Sequence, residues 1–69
     1  MNYEHEHDRA ILFFKSKTIV HASTGSFFTN GLILEIAKKH FIIKDRVDGK
    51  ARPIFFEELI KPLEEFTSR

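Results

Sequence analysis

The sequence contains no cysteine, no glycine-rich stretch and no long run of apolar residues. Without cysteine, neither a disulfide framework nor a thiolate zinc site can form. Without a glycine-rich loop, the usual backbone cradle for a nucleotide phosphate is missing. The apolar runs fall well short of the roughly 20 residues that cross a bilayer, and the acidic start makes a poor signal peptide. We therefore expect no membrane contact and a cytoplasmic location.

The chain is short, at 69 residues, and has room for one domain. A domain of this size buries only about 60% of the surface of its unfolded chain and is marginally stable without a disulfide, a metal or a partner. Because a disulfide is excluded, the composition favours self-association.

Charge is distributed unevenly, although the net charge is only +1. Residues 1–8 carry three acidic side chains and no Lys or Arg, residues 9–52 carry nine basic against three acidic, and residues 53–69 carry two basic against four acidic. A basic middle between acidic ends predicts binding of phosphate groups, or contact between the ends of one copy and the middle of another. A solvated surface of mixed charge is the plainer alternative.

The first element is predicted to be a short helix over residues 7–15. Ala10, Ile11 and Phe14 fall on one face at helical spacing, and Tyr3 and His7 are further candidates for that face. Asp8 is the preferred N-cap, with Asn2 as the alternative, because a short polar side chain can accept the free backbone N–H groups of the first turn.

After the helix the apolar period changes to two, which predicts five short strands joined by turns. The strands are expected over residues 17–23, 26–37, 40–46, 51–56 and 60–66, with one helical turn at 57–59. Asp48-Gly49 is the strongest hairpin signal. Asn30-Gly31 would also suit a hairpin, but a turn there leaves a very short strand before it, so a bulge or bend at Gly31 is preferred. Pro53 confines the fourth strand to an edge or its own first residues.

This order of elements predicts a mainly β fold, in which a short N-terminal helix is followed by a strongly bent five-stranded antiparallel sheet that closes into a small barrel. One domain is expected over residues 8–66, with a flexible N-terminal tail over 1–7 and a C-terminal tail over 67–69. Each large apolar side chain that is buried contributes about 1.5–3 kcal/mol, which offsets the ordering cost only narrowly. The predicted core consists of Ile11, Phe14, Ile19, Val20, Phe28, Leu32, Leu34, Ile36, Phe41, Ile43, Ile54, Phe56 and Leu59.

Three pairs of adjacent phenylalanines occupy positions 13–14, 27–28 and 55–56. Neighbouring side chains of a strand point to opposite faces, so one member of each strand pair is expected in the core and the other at the surface. Phenylalanine at the surface of a marginal domain predicts a protein interface, unless the helix covers it.

The sequence resembles the Sm-like (LSm and Hfq) family. The segment TIVHASTGSFFTNGLILEIAKKHFIIKD is similar to that family's first motif, with Gly25 at the hairpin, Gly31 within strand two and Asp45 ending strand three. RPIFFEELIKPLEEF stands in the place of the second motif. The resemblance covers residues 7–66 and implies a ring, usually of six or seven copies, in which strand four of one copy pairs with strand five of the next. Such pairing would also protect the open strand edges.

Two departures from the family pattern bear on function. The loop between strands two and three reads AKKHF (residues 37–41), without the asparagine that uridine-binding members use to hold a base. Glu57 and Glu58 replace an Arg-Gly pair before strand five, and their carboxylates would repel RNA. The departures motivate an alternative function, a non-catalytic assembly or adaptor barrel that has lost RNA recognition.

The preferred function is an Sm-like homo-oligomer that binds RNA through a basic loop with weak sequence preference. Ammonium and guanidinium groups would contact phosphates, and His40 would stack on a base. Lysines are also common in any exposed tight turn, which is the plainer interpretation. The predicted RNA-binding residues are Lys38, Lys39, His40, Lys44, Arg46, Lys50 and Arg52.

Metal binding and catalysis have little support in the sequence. His5 and His7, with Glu4, Glu6 and Asp8, form the only metal-like motif, but a third imidazole is not close in sequence. A polar tail is therefore the preferred interpretation. No serine stands in a catalytic motif. We predict no metal, no cofactor, no small-molecule substrate and no enzymatic activity.

Overall fold

The computed structural model describes residues 3–67 and confirms a mainly β architecture with one N-terminal helix and five antiparallel strands. The strands pair in the order β4-β3-β2-β1-β5, so the last strand lies beside the first. The elements are helix α1 (Tyr3–Ser16) and strands β1 (Val20–Ser23), β2 (Phe28–Ile36), β3 (His40–Asp45), β4 (Ala51–Phe55) and β5 (Glu64–Glu65), with a 3-10 turn, η1 (Phe56–Glu58), before β5.

The sheet is not a closed barrel, so that part of the prediction is wrong. β4 and β5 stand at opposite ends of the strand order and do not pair with each other within residues 3–67. β5 has only two residues, which is too short a ladder to close a sheet. The segment before it crosses to the far end of β1, where Leu59 forms an isolated bridge with Thr24.

β2 pairs with both of its neighbours and changes partner at Gly31. Its first half pairs with β1 up to Gly31, and its second half pairs with β3 from Gly31 onward. A Cβ at this position would collide with the backbone carbonyl of Lys44, so only glycine lets the two strands approach this closely. The strand runs through Asn30 without a turn, as predicted.

The bulge in β2 lies between Ile33 and Glu35 rather than at Gly31. Gly31 and Ile33 are buried, whereas Leu32 and Leu34 are exposed. The prediction that placed Leu32 and Leu34 in the core is therefore wrong. Three consecutive apolar residues carry no alternation that could set the phase of the strand, and the phase follows from Gly31 instead.

The β3–β4 hairpin turns at Asp48-Gly49, as predicted. Gly49 has a φ of +74°, which favours glycine. The Asp45 carboxylate accepts the backbone N–H of Val47 at 2.7 Å and fixes the start of the turn.

The helix begins at Tyr3, four residues earlier than predicted. Residues 3–7, which were expected to be a flexible tail, form its first turns, and Glu6 is buried there. Asp8 is exposed in the helix interior and so is not the N-cap. Asn2, the alternative cap, lies outside the described residues, as do residues 68 and 69 of the predicted C-terminal tail.

The buried face of the helix shares Ala10 with the predicted face but is otherwise shifted by one residue. It runs through Glu6, Ala10 and Phe13, whereas Phe14 is exposed and Ile11 is half-buried. The first position of this face is a charged residue, so an apolar pattern alone does not reveal it.

The core lies between the helix and one face of the sheet. Six predicted core residues are buried in it, namely Val20, Phe41, Ile43, Ile54, Phe56 and Leu59, and Ile36 packs against it. Ala10, Ala22, Ile33 and Leu63 complete the core and were not in the predicted core, although Ala10 was predicted on the apolar face of the helix. Ile11 and Ile19 are half-buried, and Phe14, Phe28, Leu32 and Leu34 are exposed. Phe41 and Phe56 are both buried in the core, with their ring centroids 5.2 Å apart and their planes tilted by 44°.

The phenylalanine pairs divide between core and surface in two cases of three. Phe56 is buried and Phe55 exposed, as strand alternation predicts. Phe13 packs against the core and Phe14 is exposed, on the helix. The third pair is exposed at both positions, with Phe27 just before β2 and Phe28 at its first position, so the prediction of one core member is wrong for this pair.

Candidate nucleic-acid interface

The seven predicted RNA-binding residues do not form one patch. Lys38 and Lys39 make the exposed turn between β2 and β3, whereas Arg46 and Lys50 belong to the connection between β3 and β4. These turns lie at opposite ends of β3, which has six residues and spans roughly 17–20 Å at 3.3 Å per residue. Five of the seven residues are exposed, whereas His40 and Arg52 are half-buried, and the fold separates the seven into two groups.

The β2–β3 turn combines two lysines with an aromatic pair. The turn is closed by a hydrogen bond from the Ala37 N–H to the His40 carbonyl, at 2.8 Å. The His40 ring then lies 5.2 Å from the ring of Phe55 on the neighbouring strand. Phe55 keeps 40% of its surface exposed. Lys38, Lys39 and this ring pair thus place cationic groups beside an accessible aromatic surface.

The same turn faces the acidic start of the helix. Lys38 and Lys39 line a pocket of about 360 Å³ together with Glu4, His7 and Asp8. His7 lies 3.1 Å from the carbonyl oxygen of Ala37 through its Nε2 atom, which fastens the helix to the turn. The pocket is therefore of mixed charge. The sequence could not reveal this, because the contact joins segments about 30 residues apart.

At the other end of β3 the two arginines are already engaged. The Arg46 guanidinium lies over the ring of Phe66, 4.9 Å from its centroid. Arg52 pairs with Asp48 at 2.8 Å. Both are held by neighbours in this chain, so they are less suited to phosphate contact than the exposed ammonium groups of the remaining predicted sites, Lys44 and Lys50.

A polar network on β1 and β2 was not predicted. The His21 ring lies 2.5 Å from the Asn30 side-chain oxygen through Nδ1 and 3.0 Å from the Ser23 hydroxyl through Nε2. Both ring nitrogens are therefore occupied, and the ring also packs 5.7 Å from the exposed Phe28. Ser23 itself is buried, so the network fixes the imidazole and does not present a nucleophile to solvent. The network could have been predicted from the register of the β1–β2 hairpin, which places His21 opposite Asn30.

The two free edges of the sheet differ in what they offer a neighbouring strand. On β4, the ladder hydrogen bonds at Asp45 and at Phe56 turn the backbone of Pro53 toward the open side. Because proline has no N–H, it removes one donor from that edge.

Beside β5, the helix covers the backbone of Leu63, the residue just before the strand. The Glu6 carboxylate accepts the Leu63 N–H at 2.7 Å, and Arg9 donates two hydrogen bonds to the Leu63 carbonyl, at 3.1 and 2.6 Å. These two side chains take the place of a neighbouring strand. Within β5, only the backbone of Glu65 faces the open side of this edge.

The two histidines of the metal-like motif diverge on the helix. They are two residues apart, so they point to different sides, and His5 is exposed while His7 faces Ala37. Within residues 3–67, no three His, Asp or Glu side chains are grouped to hold an ion.

The fold and its surface define a small, mainly β protein whose sheet carries an N-terminal helix and whose exposed turns carry basic side chains. Comparison of the chain with protein-family models, curated proteins and solved structures finds no match. Among residues 3–67, no helix is both long and apolar enough to span a bilayer.

Proposed function

We propose that this protein is an Sm-like RNA-binding protein of the cytoplasm that assembles from several copies of one chain. The observation that carries the proposal is the turn between β2 and β3, where Lys38 and Lys39 stand beside the His40–Phe55 ring pair. Proteins hold unpaired bases by stacking on aromatic rings and hold the backbone by lysine contacts to phosphate. The turn offers both kinds of contact within one short segment.

The remaining exposed lysines extend the proposed contact along the sheet. Lys44 lies on the outer face of β3, and Lys50 precedes β4. A strand of RNA that crosses from the β2–β3 turn toward the β3–β4 turn would meet these ammonium groups in succession. Contacts of this kind are made to the backbone and carry little sequence information, which supports weak sequence preference.

The strand order supports the proposed assembly. β4 and β5 end the sheet on opposite sides, so β4 of one copy and β5 of the next can pair head to tail and close a ring. The short β5 carries Glu64 and Glu65, and the turn before β4 carries Lys50, which favours this pairing electrostatically. Pro53 and the covered Leu63 limit the number of hydrogen bonds that the pairing can form.

An RNA-binding titration at two salt concentrations tests the proposal. We expect binding to single-stranded RNA that weakens as salt rises, because phosphate contacts release counterions. Lys38→Glu/Lys39→Glu should weaken binding by about tenfold or more. Lys15→Glu/Lys17→Glu makes the same change of charge at the end of the helix and serves as the control. Undetectable binding at low salt, or equal loss in both variants, would refute the proposal.

A second candidate is a non-catalytic assembly or adaptor protein that forms oligomers but does not bind RNA. The acidic side chains of Glu4 and Asp8 beside Lys38 and Lys39 favour it, because carboxylates compete with phosphate for the same ammonium groups. Under this alternative, light scattering would show an oligomer while the titration shows no RNA binding at any salt concentration.

A further inference from the structure

An apolar groove lies between the end of helix α1 and the outer side of β2. It has a volume of about 410 Å³ and is lined by Phe14, Lys15, Lys17, Leu32, Ile33 and Leu34. Phe14, Leu32 and Leu34 are exposed to between 38% and 47% of their full surface. Apolar side chains gathered at one place on the surface of a small domain are typical of a docking site.

Two lysines form the rim of this groove. Lys15 and Lys17 are exposed, and among residues 3–67 neither is in an ion pair. Lys17 also has a φ of +55°, in the left-handed region where helix ends favour glycine. The Thr18 N–H bonds to the Phe13 carbonyl at 3.1 Å across this residue, as helix-ending glycine motifs do. Glycine would adopt this conformation without strain, so lysine places an ammonium group at the rim at the cost of backbone strain.

A surface complementary to the groove lies elsewhere on the same chain. Ile60 is 64% exposed, next to the buried Leu59, and follows the two exposed carboxylates Glu57 and Glu58. These two glutamates are in no ion pair within the described part of the chain. The surface therefore presents one large apolar side chain with negative charge on one side, whereas the groove presents an apolar floor with positive charge at its rim.

The two surfaces cannot meet within one molecule. The Ile60 N–H donates a hydrogen bond to the Ser23 carbonyl, and Ser23 lies opposite Phe28 in the β1–β2 ladder. The groove lies around Leu32–Leu34, four to six residues further along β2, which corresponds to roughly 13–20 Å. A second copy of the chain can bring them together.

We infer that the groove between α1 and β2 binds the Glu57–Ile60 segment of a second copy, with Ile60 on the apolar floor and Glu57 and Glu58 beside Lys15 and Lys17. The contact is head to tail, because different surfaces of the two copies meet. It does not involve the strand edges, so it is independent of the β4–β5 pairing proposed above. A groove of this size gives an interface at the small end of those known, so association is expected to depend on protein concentration.

Charge reversal tests this contact by sedimentation velocity over a series of protein concentrations. Lys15→Glu/Lys17→Glu and Glu57→Lys/Glu58→Lys should each weaken self-association by about tenfold or more. An equal mixture of the two variants should restore it, because every contact between the unlike copies again joins opposite charges. Lys38→Glu/Lys39→Glu carries the same change of charge at a different surface and should leave this association unchanged.

The apolar part of the contact is tested by a second pair of variants, one within the proposed contact and one outside it. Ile60→Ser should weaken association about tenfold or more, whereas Leu12→Ser, at a similarly exposed side chain (67% against 64%), should not. Far-UV circular dichroism of each variant shows whether it is folded.

A wild-type protein that stays monomeric over the whole series would overturn the inference, as would a mixture that fails to restore association. Association that ignores the charge reversals but is lost in strand-edge variants would leave the ring proposal standing and refute this contact. Binding of anionic lipid vesicles that depends on Lys15 and Lys17, without self-association, would assign the groove to a membrane surface instead.

Discussion

Both faces of the sheet carry large apolar side chains, yet those on only one face are buried. On the inner face Phe41, Ile43 and Ile54 are almost completely inaccessible to solvent. On the outer face Leu32 and Leu34 are exposed beside charged neighbours such as Lys44. Apolar character therefore does not decide which face of β2 becomes the core. We attribute the choice to the close backbone contact between Gly31 and Lys44.

Of the substitutions that test why one face is buried, Gly31→Ala should have the largest effect on the free energy of unfolding. A Cβ would collide with the Lys44 carbonyl, which belongs to the backbone and cannot rotate away. We expect a loss of about 3 kcal/mol or more, which is a large part of the stability of a small domain. Urea denaturation followed by circular dichroism measures it. A variant with the same midpoint as the wild type would show that the close approach of β2 and β3 does not set the phase.

Adjacent residues of β2 provide the next test. Ile33→Ala should lower the free energy of unfolding by about 2–4 kcal/mol, because it leaves a cavity in the core. Leu34→Ala removes the same number of carbon atoms from a side chain that is 47% exposed and should cost well under half as much. The reverse order of stability would indicate that the strand is shifted by one residue.

A third test concerns Glu6, the charged residue on the buried face of the helix. Glu6→Ala leaves the Leu63 N–H without its acceptor and should lower the free energy of unfolding by about 1–3 kcal/mol. Glu6→Gln keeps a side-chain oxygen at the same place and should lose less than Glu6→Ala. Equal losses in the two variants, measured by urea denaturation, would mean that the hydrogen bond to Leu63 contributes nothing.

Some parts of the fold could be predicted from the sequence, and others could not. The inner face of β3 was predicted correctly, because Phe41 and Ile43 alternate with His40 and Lys44 and so define a phase. The order of helix and strands followed from the change of apolar period and from turn signals such as Gly49.

The phases of β2 and of the helix could not be predicted, for two separate reasons. Residues 32–34 are apolar without interruption, and the bulge before Glu35 adds a further shift. On the helix, the buried position of Glu6 is paired with Leu63, a contact between residues 57 positions apart that no local pattern reveals. The failure to predict an open sheet also comes from a long-range contact. The helix covers the edge beside β5 at Leu63, and the strand pattern alone left that edge free to pair.

The sequence identified individual residues of the candidate interface, but it did not identify the residues that surround them in the structure. The turn with Lys38 and Lys39 was found from its charge and from the apolar runs on either side. Phe55 beside His40, and the acidic helix start beside the lysines, required the tertiary structure. Long-range contacts of this kind also determine which of the predicted cations remain accessible.

The smallest expected effect concerns the acidic wall of the pocket that contains Lys38 and Lys39. If RNA binds at this turn, Glu4→Gln/Asp8→Asn should raise its affinity several-fold at low salt, because two carboxylates no longer compete with phosphate for the ammonium groups. The same pair of substitutions made in the Lys38→Glu/Lys39→Glu variant is the control, because that variant has no ammonium groups at the turn for the carboxylates to compete for. The gain should shrink as salt rises, since the competition is electrostatic and partly exposed to solvent. An equal gain in both backgrounds would show a general effect of net charge, and the turn would then lose its claim to be the binding surface.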